Sequence, residues 1–180
     1  TAPVQDDSIV LDLSRLNRIL AFDEDLGLVT VEPGVTQGML SAYLEERGLD
    51  FLVPTSGAGP QASILGNALE RGYGITPHTD HFGALTALTA VLPDGSIYRG
   101  ALSEAGGEAV DRAHKWGLGP YLDGLFSQGN LGIVTSATFA LARRPKGSTR
   151  WAAARFFFCI IGLAALLTVL LASLVGKYFE

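Results

Sequence analysis

The segment His78-Thr79-Asp80-His81 places three ionisable side chains within four residues. Two histidines that flank an aspartate at this spacing suggest either a metal site or a role in proton transfer or electrostatics. A metal site needs a further distant ligand, but the only other histidine is His114, and the single cysteine lies far along the chain. The segment therefore predicts no metal, and the alternative to proton transfer or electrostatics is an ordinary polar loop.

A second chemically suggestive segment runs from Pro54 to Gly74, where five of 21 residues are glycine. Such density is typical of backbone that adopts unusual conformations or lies against a ligand. A short helix is predicted to begin near Ser63, and the unpaired N–H groups at a helix start can bind a phosphate or a polar ring edge. A tight turn packed under a sheet is the alternative.

Other common cofactor and nucleophile motifs are absent. Gly57-Ala58-Gly59 is followed by Pro60 and lacks the third glycine of a dinucleotide-binding fingerprint. The chain has neither a phosphate loop nor a G-x-S-x-G elbow, and its cysteine, Cys159, lies in an apolar run. These absences argue against covalent hydrolase chemistry.

The elements that must position these segments are short strands with few helices between them. Strands are predicted at residues 8–13, 18–23, 26–32, 51–53, 85–92, 97–99 and 132–141, a helix is predicted from Thr36 to Gly48, and residues 104–120 are predicted to be a mobile surface loop. Because the strands follow one another as hairpins and meanders, the pattern predicts an α+β fold rather than a doubly wound parallel sheet.

Charge is segregated along the chain. Residues 1–142 carry 17 acidic and 7 basic side chains, whereas residues 143–155 carry five basic side chains and no acidic one. A duplex nucleic-acid surface needs basic residues spread over a folded face. The charge pattern therefore predicts no nucleic-acid partner.

Residues 156–175 form an apolar run in which 17 of 20 positions are apolar and none is charged. A helix of this length spans roughly 30 Å, the thickness of a bilayer core. With the basic residues before it, the run predicts a transmembrane helix, a single-pass tail anchor that keeps the N-terminal domain cytoplasmic. The alternatives are a helix buried in a partner and an altered reading frame or fusion.

Four segments resemble the PCMH-type FAD-binding domain of the vanillyl-alcohol oxidase and p-cresol methylhydroxylase family. They are V-E-P-G-V-T at 31–36, the stretch from Pro54 to Pro77, D-H-F at 80–82, and D-G-L-F-S-Q-G-N-L-G-I-V-T at 123–135. The resemblance implies an α+β fold of antiparallel or mixed sheet subdomains with flanking helices, and FAD as cofactor. The expected division is a partial FAD-binding domain at 1–145, a basic linker at 146–155, the hydrophobic helix at 156–175 and a short tail at 176–180.

The resemblance also implies which residues contact the cofactor. The loop at 55–67 corresponds to backbone that runs along FAD, and residues 132–134 correspond to a strand at its adenine end. The implied cofactor-binding residues are Pro54, Ser56, Gly57, Gly59, Ser63, Gly66, Asn67, Gly132, Ile133 and Val134. Asp80 corresponds to an aspartate near flavin N5 and is the implied catalytic residue.

The activity that the resemblance implies is transfer of a hydride to flavin N5 from a small-molecule substrate, a para-substituted phenol or a 2-hydroxy acid. Relatives also have an N-terminal glycine-rich loop that holds the FAD pyrophosphate, and a second domain that supplies the substrate pocket. Neither is recognised in this sequence. The alternative is a catalytically incomplete, membrane-anchored flavin-fold protein, or a subunit whose partner supplies the missing cap.

Overall fold

The computed structural model of the chain describes residues 7–74 and 78–145. The described residues up to Arg143 form one compact unit, and the two described residues after it, Arg144 and Pro145, fall outside that unit. The predicted linker at 146–155, transmembrane helix at 156–175 and tail at 176–180 lie outside the described residues. Among the helices that the structure does describe, none is long and apolar enough to cross a membrane.

Within residues 7–74 and 78–145, seven short strands are arranged in two sheets. They are β1 (Ile19–Asp23), β2 (Leu28–Val31), β3 (Phe51–Leu52), β4 (Leu85–Val91), β5 (Ile97–Tyr98), β6 (Ile133–Ala140) and β7 (Ala142–Arg143). The larger sheet has the order β1-β2-β6-β4-β5, and the smaller pairs β3 with β7. Every pairing between these strands is antiparallel, which confirms the prediction that the chain does not form a doubly wound parallel sheet.

In the part of the chain that the structure describes, five α-helices and one 3₁₀ helix connect the strands. They are α1 (Gln37–Glu46), α2 (Ile64–Leu69), α3 (His81–Ala84), α4 (Ala101–Glu104), α5 (Glu108–Ala113) and the 3₁₀ helix Leu122–Phe126. The predicted start of α1 is confirmed, because the Thr36 hydroxyl caps the helix by accepting the Met39 N–H at 3.2 Å.

The hydrophobic core lies between the larger sheet and helices α1 and α2. Its largest fully buried apolar side chains are Phe51, Phe139, Leu40, Leu85, Val29, Val31 and Val35. Burial of each such side chain contributes about 1.5–3 kcal/mol to folding. This core supports the segments on either side of it that carry the polar motifs.

Two details of the sequence prediction are wrong. Residues 8–13 form no strand, and Ile9 is 96% exposed, because an apolar run specifies a strand only where a neighbouring strand pairs with it. Residues Glu108–Ala113 form α5 rather than a loop, and Asp111 in that helix is buried while its carboxylate accepts the Ser103 hydroxyl at 2.6 Å. Scattered glycines and charges concealed this short helix.

A buried carboxylate joins the start of β1 to the end of β2. The Glu32 carboxylate accepts the Arg18 main-chain N–H at 2.8 Å and the Arg18 guanidinium at 2.8 and 3.2 Å. Hydrogen bonds from the Arg18 side chain lower the pKa of Glu32 below its ordinary value of 4.5. The ionised carboxylate therefore stabilises the fold above that pH, and this stabilisation is lost as the pH falls through the lowered pKa of the folded state.

We predict that Glu32→Gln lowers the free energy of unfolding by about 1–2 kcal/mol near neutral pH, because the amide cannot replace charge-assisted acceptance. The wild-type chain should lose stability more steeply on acidification than the variant does. Urea unfolding at a series of pH values measures both. Glu108→Gln, which removes the exposed pair with Arg112, is the control and should cost under about 0.5 kcal/mol. Equal pH slopes for wild type and Glu32→Gln would contradict the prediction.

Candidate functional site

The glycine loop, defined as residues 54–62, is held by the start of α1. The first amides of a helix have no partner within the helix, and here they bond to the loop. Gln37 N–H donates to the Ala62 carbonyl at 2.9 Å, and Gly38 N–H donates to the Pro60 carbonyl at 2.8 Å. A Cβ on Gly38 would lie 3.0 Å from that Pro60 oxygen, so a small residue is required for this approach.

The Gln37 side chain provides a further connection to the glycine loop. Its Nε2 donates to the Ser56 hydroxyl at 2.9 Å, and its Oε1 accepts the Ser56 N–H at 3.1 Å. Gln37 is buried, so loss of its amide would leave loop groups without partners. Pro54, just before Ser56, is also buried. The inner side of the glycine loop is therefore fixed by both main-chain and side-chain bonds.

The outer side of the glycine loop is open. A Cβ built on Gly57 or Gly59 would meet no heavy atom within 4 Å. Gly59 has φ +88°, a conformation that favours glycine, but Gly57 has no such requirement. Packing within the described residues therefore does not explain why residue 57 is glycine.

The Ser63 side chain forms the junction between the glycine loop and α2. Its hydroxyl donates to the Pro33 carbonyl at 2.6 Å and accepts the Gly66 N–H at 2.9 Å as the helix cap. A Cβ on Gly66 would lie 3.2 Å from that hydroxyl oxygen. Ile64 N–H donates to the Val35 carbonyl at 3.1 Å, so the V-E-P-G-V-T segment supports this helix start directly.

The Asn67 side chain contacts the segment 78–81, which contains two histidines. Its Nδ2 hydrogen-bonds to Nδ1 of His81, and because an amide nitrogen is only a donor, the neutral ring carries its proton on Nε2. His81 is 1% exposed, and burial, followed by the charge of His78, lowers the pKa of His81. The structure thus gives His81 a neutral, structural environment.

Two glycines make room for this histidine and its asparagine partner. A Cβ on Gly72 would lie 2.0 Å from Asn67 Oδ1, and a Cβ on Gly74 would lie 2.4 Å from His81 Nε2 and 2.5 Å from the Thr55 carbonyl oxygen. Neither position can accept a larger residue without displacing its neighbours. The glycine loop, α2 and the start of α3 are therefore joined at one place.

Asp80, the predicted catalytic residue, is the exposed N-cap of α3. Its Oδ1 accepts the Phe82 N–H at 3.0 Å. Lys115 and Tyr121 lie near enough to Asp80 for its charge to act on both of them. Burial lowers the pKa of Lys115, and the Asp80 carboxylate acts against that change. Burial raises the pKa of Tyr121, and the Asp80 carboxylate raises it further. The carboxylate is thus available at the surface beside a partly buried cation and a phenol.

Around Asp80, three buried polar atoms find no hydrogen-bond partner among the described residues. They are His78 Nε2, His81 Nε2 and the Tyr121 hydroxyl. Buried polar atoms are normally hydrogen-bonded, so a group of unpaired ones is typical of a place that receives a polar ligand. Together with the open side of the glycine loop, these atoms fit an extended ligand that has a polar ring system.

Gly132, Ile133 and Val134 lie at the other end of the larger sheet. Ile133 pairs with Val91 at the end of β4, whereas α3 leads directly into the start of β4. Seven strand residues at about 3.3 Å each separate these ends by roughly 20 Å. The structure therefore does not bring residues 132–134 together with Asp80, and only an extended ligand can reach both.

Residues 132–134 differ in packing and in solvent exposure. A Cβ on Gly132 would lie 2.7 Å from the Val91 carbonyl oxygen, so glycine is required by packing. Val134 is buried and Ile133 is 41% exposed, so Ile133 presents a side chain at the surface while Val134 contributes to the core.

In the described part of the chain, no group of three or more His, Cys, Asp or Glu side chains could hold a metal ion.

Sequence reasoning missed Gln37, Lys115 and Tyr121. The position of Gln37 just after the predicted N-cap Thr36 is a signal that its main-chain N–H has no partner within the helix, but the bonds between its side chain and Ser56 are not predictable from local spacing. Lys115 lies in the segment that was predicted to be a mobile loop, and Tyr121 directly follows it. No sequence pattern indicates that these two side chains lie beside Asp80.

Comparison with known proteins gives consistent matches. The family described as "FAD binding domain" matches residues 1–101. The chain is 42% identical over 144 residues to "1'-carboxy-chondrochloren decarboxylase" of Chondromyces crocatus, covering 80% of this chain and 27% of the relative. It is 38% identical over 144 residues to the "4-cresol dehydrogenase [hydroxylating] flavoprotein subunit" of Pseudomonas putida, covering 80% of this chain and 28% of that one.

A solved structure matches equally well. The crystal structure of p-cresol methylhydroxylase with substrate bound superposes with a TM-score of 0.77 and 37% identity, over 80% of this chain and 28% of that one. This match confirms the predicted α+β fold. The chain spans little more than a quarter of the length of these relatives.

We predict that Gln37→Ala releases the glycine loop without unfolding the protein. Hydrogen exchange at the Ser56 amide should accelerate by about tenfold, because its acceptor is lost. Mass-resolved or NMR-detected exchange measures this directly. Gln128→Ala, which removes an exposed amide that donates to the Glu70 carbonyl, is the control and should leave residues 54–62 unchanged. Unaltered exchange of Ser56 in Gln37→Ala would contradict the assigned role.

Proposed function

Because the chain belongs to the FAD binding domain family of PCMH-type flavoproteins, we propose that it binds FAD along the open side of the glycine loop as part of an oxidoreductase. The sequence prediction of a FAD-dependent oxidoreductase family, with FAD as its cofactor, is confirmed. The observation that carries the proposal is the asymmetry of the glycine loop. Its inner side is bonded to α1, while Gly57 and Gly59 leave its outer side unobstructed.

The cofactor contacts that we propose are mainly main-chain groups. Ser56 and Ser63 already use their hydroxyls within the fold, so each contributes by holding backbone in place. Gly66 keeps the start of α2 narrow, and Asn67 acts through His81. Pro54, Gly57 and Gly59 lie in the glycine loop, along the proposed path of the cofactor. The far end of the extended cofactor lies against Gly132, Ile133 and Val134.

FAD, when bound, supplies a ring that accepts a hydride at N5. We propose that Asp80 lies beside this ring, where its carboxylate orients the substrate or holds a proton at Oδ2 while the Phe82 amide fixes Oδ1. The unpaired polar atoms of His78 and Tyr121 are available to form hydrogen bonds with polar ring atoms. The buried and neutral His81 ring bonds to Asn67 and holds the start of α3 in place.

The substrate class that we favour is a para-substituted phenol, with oxidation at the carbon attached to the ring. The 38% identity to the 4-cresol dehydrogenase flavoprotein subunit supports this class over a 2-hydroxy acid. Another relative, at 42% identity, has the name of a decarboxylase, so the named reaction differs between relatives. Reduction of the bound flavin by 4-methylphenol, compared with D-lactate, distinguishes the two substrate classes.

We predict that Gly57→Val leaves the fold intact and blocks FAD. The added side chain meets no atom of the described residues, so the melting temperature should stay within about 2 °C of wild type. If FAD runs along the open side, its affinity should fall by at least about tenfold, because the side chain occupies that path. Quenching of flavin fluorescence measures affinity. Ala109→Val, an exposed position on α5, is the control, and equal FAD affinity in wild type and Gly57→Val would refute the proposed course.

We predict that Asp80→Ala retains FAD but slows reduction of the flavin by about a hundredfold, because the carboxylate acts at the ring rather than in binding. Stopped-flow absorbance with 4-methylphenol as reductant measures the rate. Asp94→Ala, which alters an exposed turn carboxylate bonded to Ser96, is the control and should reduce at the wild-type rate. A wild-type reduction rate in Asp80→Ala would remove Asp80 from the mechanism.

A further inference from the structure

Lys115 connects α5 to the helix that carries Asp80. It follows the end of α5, and its Nζ donates to the carbonyls of Phe82 and Leu85, the latter at 3.0 Å. These carbonyls lie within and just after α3, whose N-cap is Asp80. One ammonium group therefore binds the carbonyl end of the same short helix that presents the carboxylate at its other end.

The surroundings of Lys115 are unusual for a lysine. The side chain is half-buried, and its Nζ lies 4.3 Å from the centre of the Phe82 ring and 5.1 Å from that of Tyr121. A buried ammonium is costly unless hydrogen bonds, aromatic faces or opposite charges compensate for lost water. Here all three are present, since the charges of Asp80 and Asp123 also act on it.

The chain on the far side of Lys115 is anchored independently. In α5, Asp111 is buried and its carboxylate accepts the Ser103 hydroxyl, while Gly100 lies so close that a Cβ there would be 2.4 Å from Asp111 Oδ2. The helix also packs against β4. Lys115 thus follows a helix that is held in place by packing and hydrogen bonds, so its own bonds can hold α3 relative to α5.

A helix of one turn is not stable by itself, because nucleation fixes several residues for few hydrogen bonds. The His81 N–H donates to the Gly72 carbonyl at 3.2 Å, and further bonds run from Phe82 N–H to Asp80 Oδ1, from Gly83 N–H to the Asp80 carbonyl, and from Leu85 N–H to the Phe82 carbonyl. The Lys115 ammonium shares the last of these acceptors. Asn67 and Gly72 bond to His81 at the start of α3, whereas Lys115 bonds to the carbonyls at its end.

We propose that Lys115 is a positioning residue that holds α3 and thereby fixes the direction of the Asp80 carboxylate. The inference rests on the proposed function for the role of Asp80, but the contact with α3 is a property of the chain alone. Arg71, whose guanidinium carbon lies 4.6 Å from the centre of the Phe82 ring, adds a second cation beside the same helix without bonding to its carbonyls. Lys115 is therefore the residue whose loss should loosen the carbonyl end of α3.

The first test uses the chain without cofactor. In Lys115→Met, hydrogen exchange at the amides of Phe82, Gly83 and Leu85 should accelerate by about tenfold. Arg47→Met, which removes a cation 3.8 Å from the Tyr43 ring, is the matched control and should leave these amides unchanged. Lys115→Gln, which keeps a donor but no charge, should give a smaller acceleration and serves if the methionine variant does not fold. Unchanged exchange in the Lys115 variants, or equal acceleration in Arg47→Met, would overturn the proposal.

The second test asks whether Lys115 acts through Asp80. The midpoint potential of bound flavin is measured in wild type, Lys115→Met, Asp80→Ala and the double variant. If Lys115 acts by positioning the Asp80 carboxylate, Lys115→Met should shift the midpoint potential of the wild-type protein. The same substitution made in the Asp80→Ala protein should shift the potential by at most half as much. An equal shift in both backgrounds would overturn the proposal. Failure of every variant to bind FAD would instead reject the proposed function, while the exchange experiment still decides the role of Lys115.

Discussion

The candidate site depends on the unpaired main-chain amides at the start of α1. A helix start must find acceptors for these groups, and here the acceptors are the carbonyls of Pro60 and Ala62. Because the helix is itself packed on the core by Leu40 and Leu44, the glycine loop takes its position from the core rather than from its own sequence. A loop held in this way loses little further conformational freedom when a ligand binds along it.

The same constraint reaches Asp80 through a series of close contacts. Ser63 connects the loop to α2, Asn67 connects α2 to His81, and the glycines at 72 and 74 permit the ring to lie against the backbone. Each of these contacts is a hydrogen bond or a close approach that fixes one segment relative to the next. Asp80 is therefore placed by its neighbour His81 on one side and by the support of α3 on the other.

The fold class and the short helix that begins after the glycine loop were predictable, because strand periodicity, turn residues and helix caps are local properties of sequence. The cap at Thr36 was predictable for the same reason. The partners Gln37 with Ser56 and Lys115 with Leu85 were not, since each pair joins residues far apart in the chain. Helix α5 was missed because a helix of six residues has too few positions to show a periodic pattern.

The glycines of this chain have different physical causes, and only the structure separates them. At Gly38, Gly72 and Gly132 a side chain would collide with neighbouring atoms, so packing of the described residues explains these positions. Gly59 requires a conformation that other residues avoid, whereas Gly57 has neither constraint. A residue kept small without a reason inside the fold points to something outside it, and this distinction, rather than the number of glycines, makes the open side of the loop the place to expect a ligand.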